Sequence, residues 1–177
     1  MPSTRGDHLP HTITLKNGTT VLIRRAEPED LQMIFHLFRS LSDDTMFRRF
    51  LRSQRNLTRE DAQEMLRLNE GNVTSLIAVL KRNHEERAIG EARYVANPTG
   101  RLAEAAVVVA DEWQNCGLGT ALFSDLIAEA GRQGLTKIFA YFDLQNKSII
   151  HLGEKFGFKL AKERKPDYAM MKAELAL

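Results

Sequence analysis

"VVVADEWQNCGLGTALF", residues 107–123, passes from a β-branched run through a loop holding two glycines into an apolar pattern of helical spacing. The valines favour a strand. Leu118, Leu122 and Leu126 fall on one stripe, which predicts a helix from about Gly117 to Arg132 that ends near Gly134. Where a strand runs through a loop into a helix, the unbonded N–H groups of the first turn point outward, and glycines let an anion approach them. The loop lacks the lysine of the nucleotide-binding pattern GxxxxGK[ST]. Gly117 and Gly119 give G-x-G, but Leu122 stands where a dinucleotide fingerprint needs its third glycine. Taken alone, the glycine pair describes a structural turn as well as an anion site.

Upstream, "VTSLIAVLK", "AIGEARYVA" and "RLAEAAVVVA" read as strands separated by short polar turns, hence an antiparallel meander. Further upstream, "HTITLKNGTTVLIRRA" alternates around Asn17-Gly18, a hairpin signal. Pro28 and its acidic neighbours open an amphipathic helix with Leu31, Ile34, Phe35, Phe38 and Leu41 on its apolar face. A second helix is predicted from Thr58, with Gly71 as its stop. Between them lies a segment dense in arginine: Arg48, Arg49, Arg52 and Arg55. It is either a solvated face or a surface for an anionic partner. Downstream, "TKIFAYFD" predicts a strand, "NKSIIHLGEKF" a short helix, and "FKLAKER" with "YAMMKAEL" a closing strand pair. The fold class is α/β (α+β), a mixed, largely antiparallel central sheet flanked by helices.

Bulk properties narrow the function. A chain of 177 residues, 43% hydrophobic, suits one core, so residues 1–10 are expected to be a flexible leader and 11–177 a single domain. Lys and Arg total 25 against 23 Asp and Glu, and a net charge of +2 argues against nucleic acid or a membrane as the main partner. The single cysteine forbids an internal disulfide and a cysteine-rich metal site, so no metal is expected. No apolar run reaches the roughly 18 residues of a membrane span, and a cytoplasmic location is expected.

Gln114-x-x-Gly117-x-Gly119-Thr120, preceded by a valine-rich strand and followed by an amphipathic helix, resembles the Q/R-x-x-G-x-G/A loop of the GNAT superfamily of N-acetyltransferases. "VLIRRAEPEDL" and "NKSIIHLGEKFGF" resemble other segments of that superfamily. Within it, the acetyltransferase domains of bacterial protein lysine acetyltransferases that act on acyl-CoA synthetases look most similar. The resemblance implies acetyl-CoA as cosubstrate. It places the thioester and pantetheine arm along the backbone of Val107, Val108 and Val109. The diphosphate would lie against Gln114, Asn115, Cys116, Gly117, Leu118, Gly119 and Thr120, and the pantetheine would bond the Asn146 side chain. Asn146 equally suits the cap of the helix that follows.

Acetyl transfer to a primary amine needs that amine neutral, which costs roughly 4 to 5 kcal/mol at pH 7 for a lysine of pKa near 10.4. Glu104, in phase with Ala106 and Val108, is the candidate base. It reads either as a partly buried carboxylate with a raised pKa or as a glutamate facing water. The resemblance favours the base. Many GNAT enzymes carry a tyrosine seven residues after the Asn, as an acid for the departing thiolate, but here that position holds Gly153. Tyr141 and His151 are alternatives. Cys116 invites a covalent mechanism but stands a pantetheine arm from the thioester. The expected acceptor is a protein lysine. The alternatives are a small-molecule amine, or a non-catalytic acyl-CoA-binding sensor. Exposed elements of this class can pair two copies into a homodimer.

Overall fold

The alternation around Asn17-Gly18 folds as a hairpin, β1 (His11–Thr14) with β2 (Thr20–Arg25), and Gly18 supplies the positive φ that its turn needs. The computed structural model describes residues 9–51, 67, 71–164 and 169–177. The meander follows as β3 (Val73–Arg82), β4 (Glu85–Ala96) and β5 (Leu102–Val109). The remaining strands among the described residues are β6 (Lys137–Asp143), β7 (Lys159–Arg164) and β8 (Ala169–Ala176). All eight form one sheet in the order β1-β2-β3-β4-β5-β6-β8-β7. Every neighbouring pair is antiparallel except β5 with β6, so the sheet is mixed and largely antiparallel, as its sequence predicts.

Among the described residues four α-helices flank it: α1 (Leu31–Arg39), α2 (Asp43–Phe50), α3 (Leu118–Arg132) and α4 (Lys147–Lys155). On one face lies α3, with Leu118, Leu122 and Leu126 all fully buried. It lies so close that a Cβ added to Gly90 of β4 would stand 2.8 Å from Leu122 Cδ1 and 3.2 Å from the Val108 carbonyl oxygen. On the other face, Ile34 and Phe38 of α1 and Met46 of α2 pack with Ile77, Val79 and Val108. Of the predicted α1 stripe, Ile34 and Phe38 are buried, and Leu31, Phe35 and Leu41 are half-buried. Leu37 joins the buried set, because the helix meets the sheet along a stripe wider than the sequence pattern marks.

The segment read as an arginine-rich connection contains α2. Its local signals are sound: Ser42 caps it by accepting from Thr45 N, Asp43 and Asp44 sit in the first turn, and Arg48 and Arg49 in the last. The helix predicted from Thr58, residues 1–8 of the expected leader at 1–10, and Arg52 and Arg55 lie outside the described residues. Two polar contacts tie the N-terminal hairpin to α3: His11 Nε2 lies 2.8 Å from Asp125 Oδ2, and Arg25 pairs with Glu129.

Candidate active site

β5 and β6 run parallel for only three residue pairs, Leu102, Ala103 and Glu104 against Lys137, Ile138 and Phe139. Beyond Glu104 they diverge. β5 stays paired with β4 as far as Val109, and β6 with β8 as far as Asp143, so the sheet splits into two leaves. A cleft of about 390 Å³ fills the gap, lined by Ala105–Val109 on one side and Ala140–Phe142 on the other. The facing edges present peptide groups to whatever enters, which suits an extended, amide-bearing chain that adds itself as a strand.

The glycine loop closes one end of this cleft. Gly117 holds φ at +93° as the N-cap of α3, a conformation that a side chain would strain. Asn115 (φ 59) also adopts the left-handed region. Gly119 follows in the first turn, where an added Cβ would stand 3.6 Å from Val109 Cγ2. The start of a helix, free of side-chain bulk and carrying the positive end of the dipole, fits an anionic group. Cys116 is buried, and its Sγ donates to the Trp113 carbonyl at 2.7 Å.

α2 closes the other side through side chains. Asp111 accepts from Ser42 Oγ (2.6 Å), Ser42 N (2.9 Å) and Thr45 Oγ1 (2.7 Å). Gln114 Nε2 donates to Thr45 Oγ1 and to the Val109 carbonyl, both at 3.1 Å. Burial pushes the Asp111 carboxyl up, but these hydrogen bonds outweigh it and hold the group below its ordinary value. Behind α2, Glu91 is fully buried on β4 and accepts from Ser75 Oγ (3.0 Å) and Arg93 Nε (2.8 Å). Burial raises the Glu91 carboxyl, yet the charges of Arg93 and Arg49 hold it low. Arg49 itself lines the cleft.

Glu104 is the last β5 residue paired with β6, on the sheet face that carries α2. It is exposed and does not line the cleft, so the reading of a partly buried carboxylate gives way to that of an exposed one. Its β6 neighbour Phe139 meets Tyr141 edge-on at 5.8 Å, and Lys172 Nζ lies over both rings at 5.3 and 5.9 Å. Tyr141 reaches from this platform into the cleft wall.

The pattern of the acetyltransferase (GNAT) family matches residues 35–158. The chain belongs to that family. GNAT enzymes are N-acetyltransferases that draw on acetyl-CoA, and this chain is one of them. An acetyltransferase of Pseudomonas aeruginosa is 28% identical over 92% of this chain and 85% of its own. Among solved structures, the GNAT domain of S. lividans PAT superposes with a TM-score of 0.80 at 20% identity, over 95% of this chain and 97% of that one. The yncA protein of Salmonella typhimurium, solved with its cofactor acetyl-CoA, gives 0.69 at 21% identity over 88% and 93%. At such identities the structural likeness concerns the fold.

In this GNAT chain the cleft gathers Val107, Val108, Val109, Gln114, Asn115, Gly117, Gly119, Thr120 and Asn146 from the residues singled out by sequence. Of the expected cofactor-binding residues, Cys116 and Leu118 are the exceptions: both side chains turn into the hydrophobic core, so only their backbone can face a ligand. Asn146 caps α4 by accepting from Ile149 N at 3.3 Å. Tyr141 and His151 both line the cleft. Sequence reasoning missed Lys16 and Thr45, which come from a hairpin and a helix distant in sequence, and also the buried Glu91–Arg93 pair. Two charges in the middle of the apolar strand "AIGEARYVA" were the available sign of that pair. Among the described residues no group of three or more His, Cys, Asp or Glu is placed to hold a metal, and no helix is long and apolar enough to cross a membrane.

Proposed function

We propose that this GNAT enzyme transfers acetyl directly from acetyl-CoA to the side-chain amine of a protein lysine, with Glu104 as the base. One observation carries the reading: the cleft opens where β5 and β6 part, and Glu104 stands at the point of parting. Acetyl-CoA brings the acetyl group as an activated thioester. The split edge from Val107 to Val109 would align its pantetheine arm, with Asn146 on the far wall, and the turn from Asn115 to Thr120 would receive its diphosphate.

Glu104 accepts the ammonium proton of the incoming lysine, directly or through a water. The neutral amine attacks the acetyl carbon, the C–S bond breaks as the amide forms, CoA departs as its thiolate, and the second amine proton passes to water or to that thiolate. Gly153 supplies no side-chain acid, and a thiol with a pKa near that of cysteine, about 8.5, can leave unprotonated. Tyr141, which lines the cleft, is the side-chain donor to test first. Support for an alkylammonium acceptor comes from Lys172, whose own ammonium rests on the Phe139–Tyr141 platform beside Glu104.

The experiment is thiol release from acetyl-CoA with purified acyl-CoA synthetases beside a panel of polyamines, amino acids and aminoglycosides, with the modified residue located by mass spectrometry. Acetyl-lysine on protein supports the reading. Turnover only with small amines replaces the acceptor, and tight acetyl-CoA binding with no turnover on any amine makes the protein a sensor.

A further inference from the structure

The loop at the anionic end of the cleft carries no charge of its own: from Gln114 to Thr120 every side chain is neutral. A diphosphate seated there would rely on backbone dipoles unless another element brought a cation. The N-terminal hairpin does so. Leu15 of its turn is buried in the core cluster that includes Trp113 and Cys116. The next residue, Lys16, donates its backbone N–H to the Cys116 carbonyl at 3.0 Å. This fastens the hairpin tip onto the loop, and the His11–Asp125 and Arg25–Glu129 contacts hold the strands behind it against α3.

The Lys16 side chain then runs across Gly117. Its Cγ and Cε both lie 3.9 Å from the position that a Cβ on Gly117 would occupy, and the residue lines the same cleft as Asn115, Gly119 and Thr120. The cleft's other cations have partners: Arg48 Nε lies 3.0 Å from Asp44, and Arg49 stands over the Phe38 and Phe50 rings near Glu91. Among the described residues Lys16 makes no ion pair.

We infer that Lys16 is a cofactor-binding residue for the diphosphate of the acyl-CoA, a cation delivered by the hairpin to a loop that has only neutral donors. The inference rests on the reading that this cleft takes acetyl-CoA. A flexible ammonium on a four-carbon stem can reach over the glycine turn and add a charge-assisted hydrogen bond to the backbone N–H groups below it. The glycine at position 117 thereby serves twice, since its missing side chain also leaves a track for the lysine stem.

The test compares wild type, Lys16→Gln and Lys16→Arg for binding of acetyl-CoA, 3′-dephospho-acetyl-CoA and acetyl-pantetheine, by calorimetry and by kcat/KM in thiol release. Lys16 is exposed, so both variants should fold, which thermal denaturation checks. The expected result is an equal loss of about tenfold for both diphosphate-bearing ligands in Lys16→Gln. Acetyl-pantetheine should be unaffected, Lys16→Arg should retain affinity, and the salt dependence should flatten in the glutamine variant. Equal affinities of wild type and Lys16→Gln overturn the inference. A loss confined to full acetyl-CoA also overturns it, by moving the lysine to the 3′-phosphate, and a loss shared by acetyl-pantetheine reduces it to packing. Wild type that binds none of the three overturns the acetyl-CoA reading itself.

Discussion

Residues 102–104 and 105–109 belong to one strand, paired with β4 from Ala103 to Val109, yet only the first three pair with β6. The first reads Leu-Ala-Glu and the second Ala-Ala-Val-Val-Val, and they differ also in what their outer edge meets. The cleft opens where the pairing of β5 with β6 stops, at Glu104. The two ends of the cleft differ as well. At the loop the shape comes from backbone, with Gly117 at positive φ and Gly119 against Val109. At α2 it comes from side chains, through Ser42, Thr45, Asp111 and Gln114.

The sharpest way to break the contrast is to put bulk into the backbone-built end. Gly117→Val forces a β-branched residue to positive φ and covers the turn, so acetyl-CoA affinity should fall about 100-fold or more by calorimetry. Unchanged affinity would remove the loop from the site. Next in size is Glu104→Gln, which should lower kcat by about 10² to 10⁴-fold while leaving the Kd for acetyl-CoA within about twofold. A kcat equal to wild type would assign the proton to another group.

At the side-chain-built end, Asp111→Asn weakens the clamp on α2, and KM for the acceptor should rise by about threefold to tenfold with little change in acetyl-CoA affinity. The same variant tests a pH effect. The folded Asp111 carboxyl titrates below its unfolded value, so its ionised form stabilises the fold. That contribution is present above about pH 3.9, the ordinary Asp value, and is lost as pH falls through the lower folded value. Thermal midpoints followed by circular dichroism from pH 5 to pH 2 should therefore drop less steeply in Asp111→Asn than in wild type. The smallest effect belongs to Cys116→Ser, which keeps a donor for the Trp113 carbonyl and should retain activity within about twofold. Trapping an acetyl group on Cys116 would reverse that expectation.

The loop end was legible in sequence because backbone chemistry announces itself through glycine: Gly117, Gly119 and the valine run each have a local cause. The α2 end was legible only in part. Ser42, Asp43 and Asp44 start a helix by familiar rules, but the arginines that end it read as a solvated surface, and only the fold brings Thr45 to Asp111 and Gln114. Lys16 was invisible for the same reason, since a lysine after a short strand looks like any turn residue until the hairpin lies on Cys116. The phase of Glu104 with Val108 is readable from strand alternation, whereas its exposure is set by the packing around it and is not.

The seam between the leaves has a mechanical consequence. Three rungs join β6, β8 and β7 to the rest of the sheet through β5, and they act as the vertex of a V. When one arm rotates about a vertex, a point on it moves in proportion to its distance from that vertex. Val109 and Asp143 stand at the tips and Glu104 on the last rung, so spreading the arms to admit a long ligand widens the mouth and scarcely shifts the carboxylate.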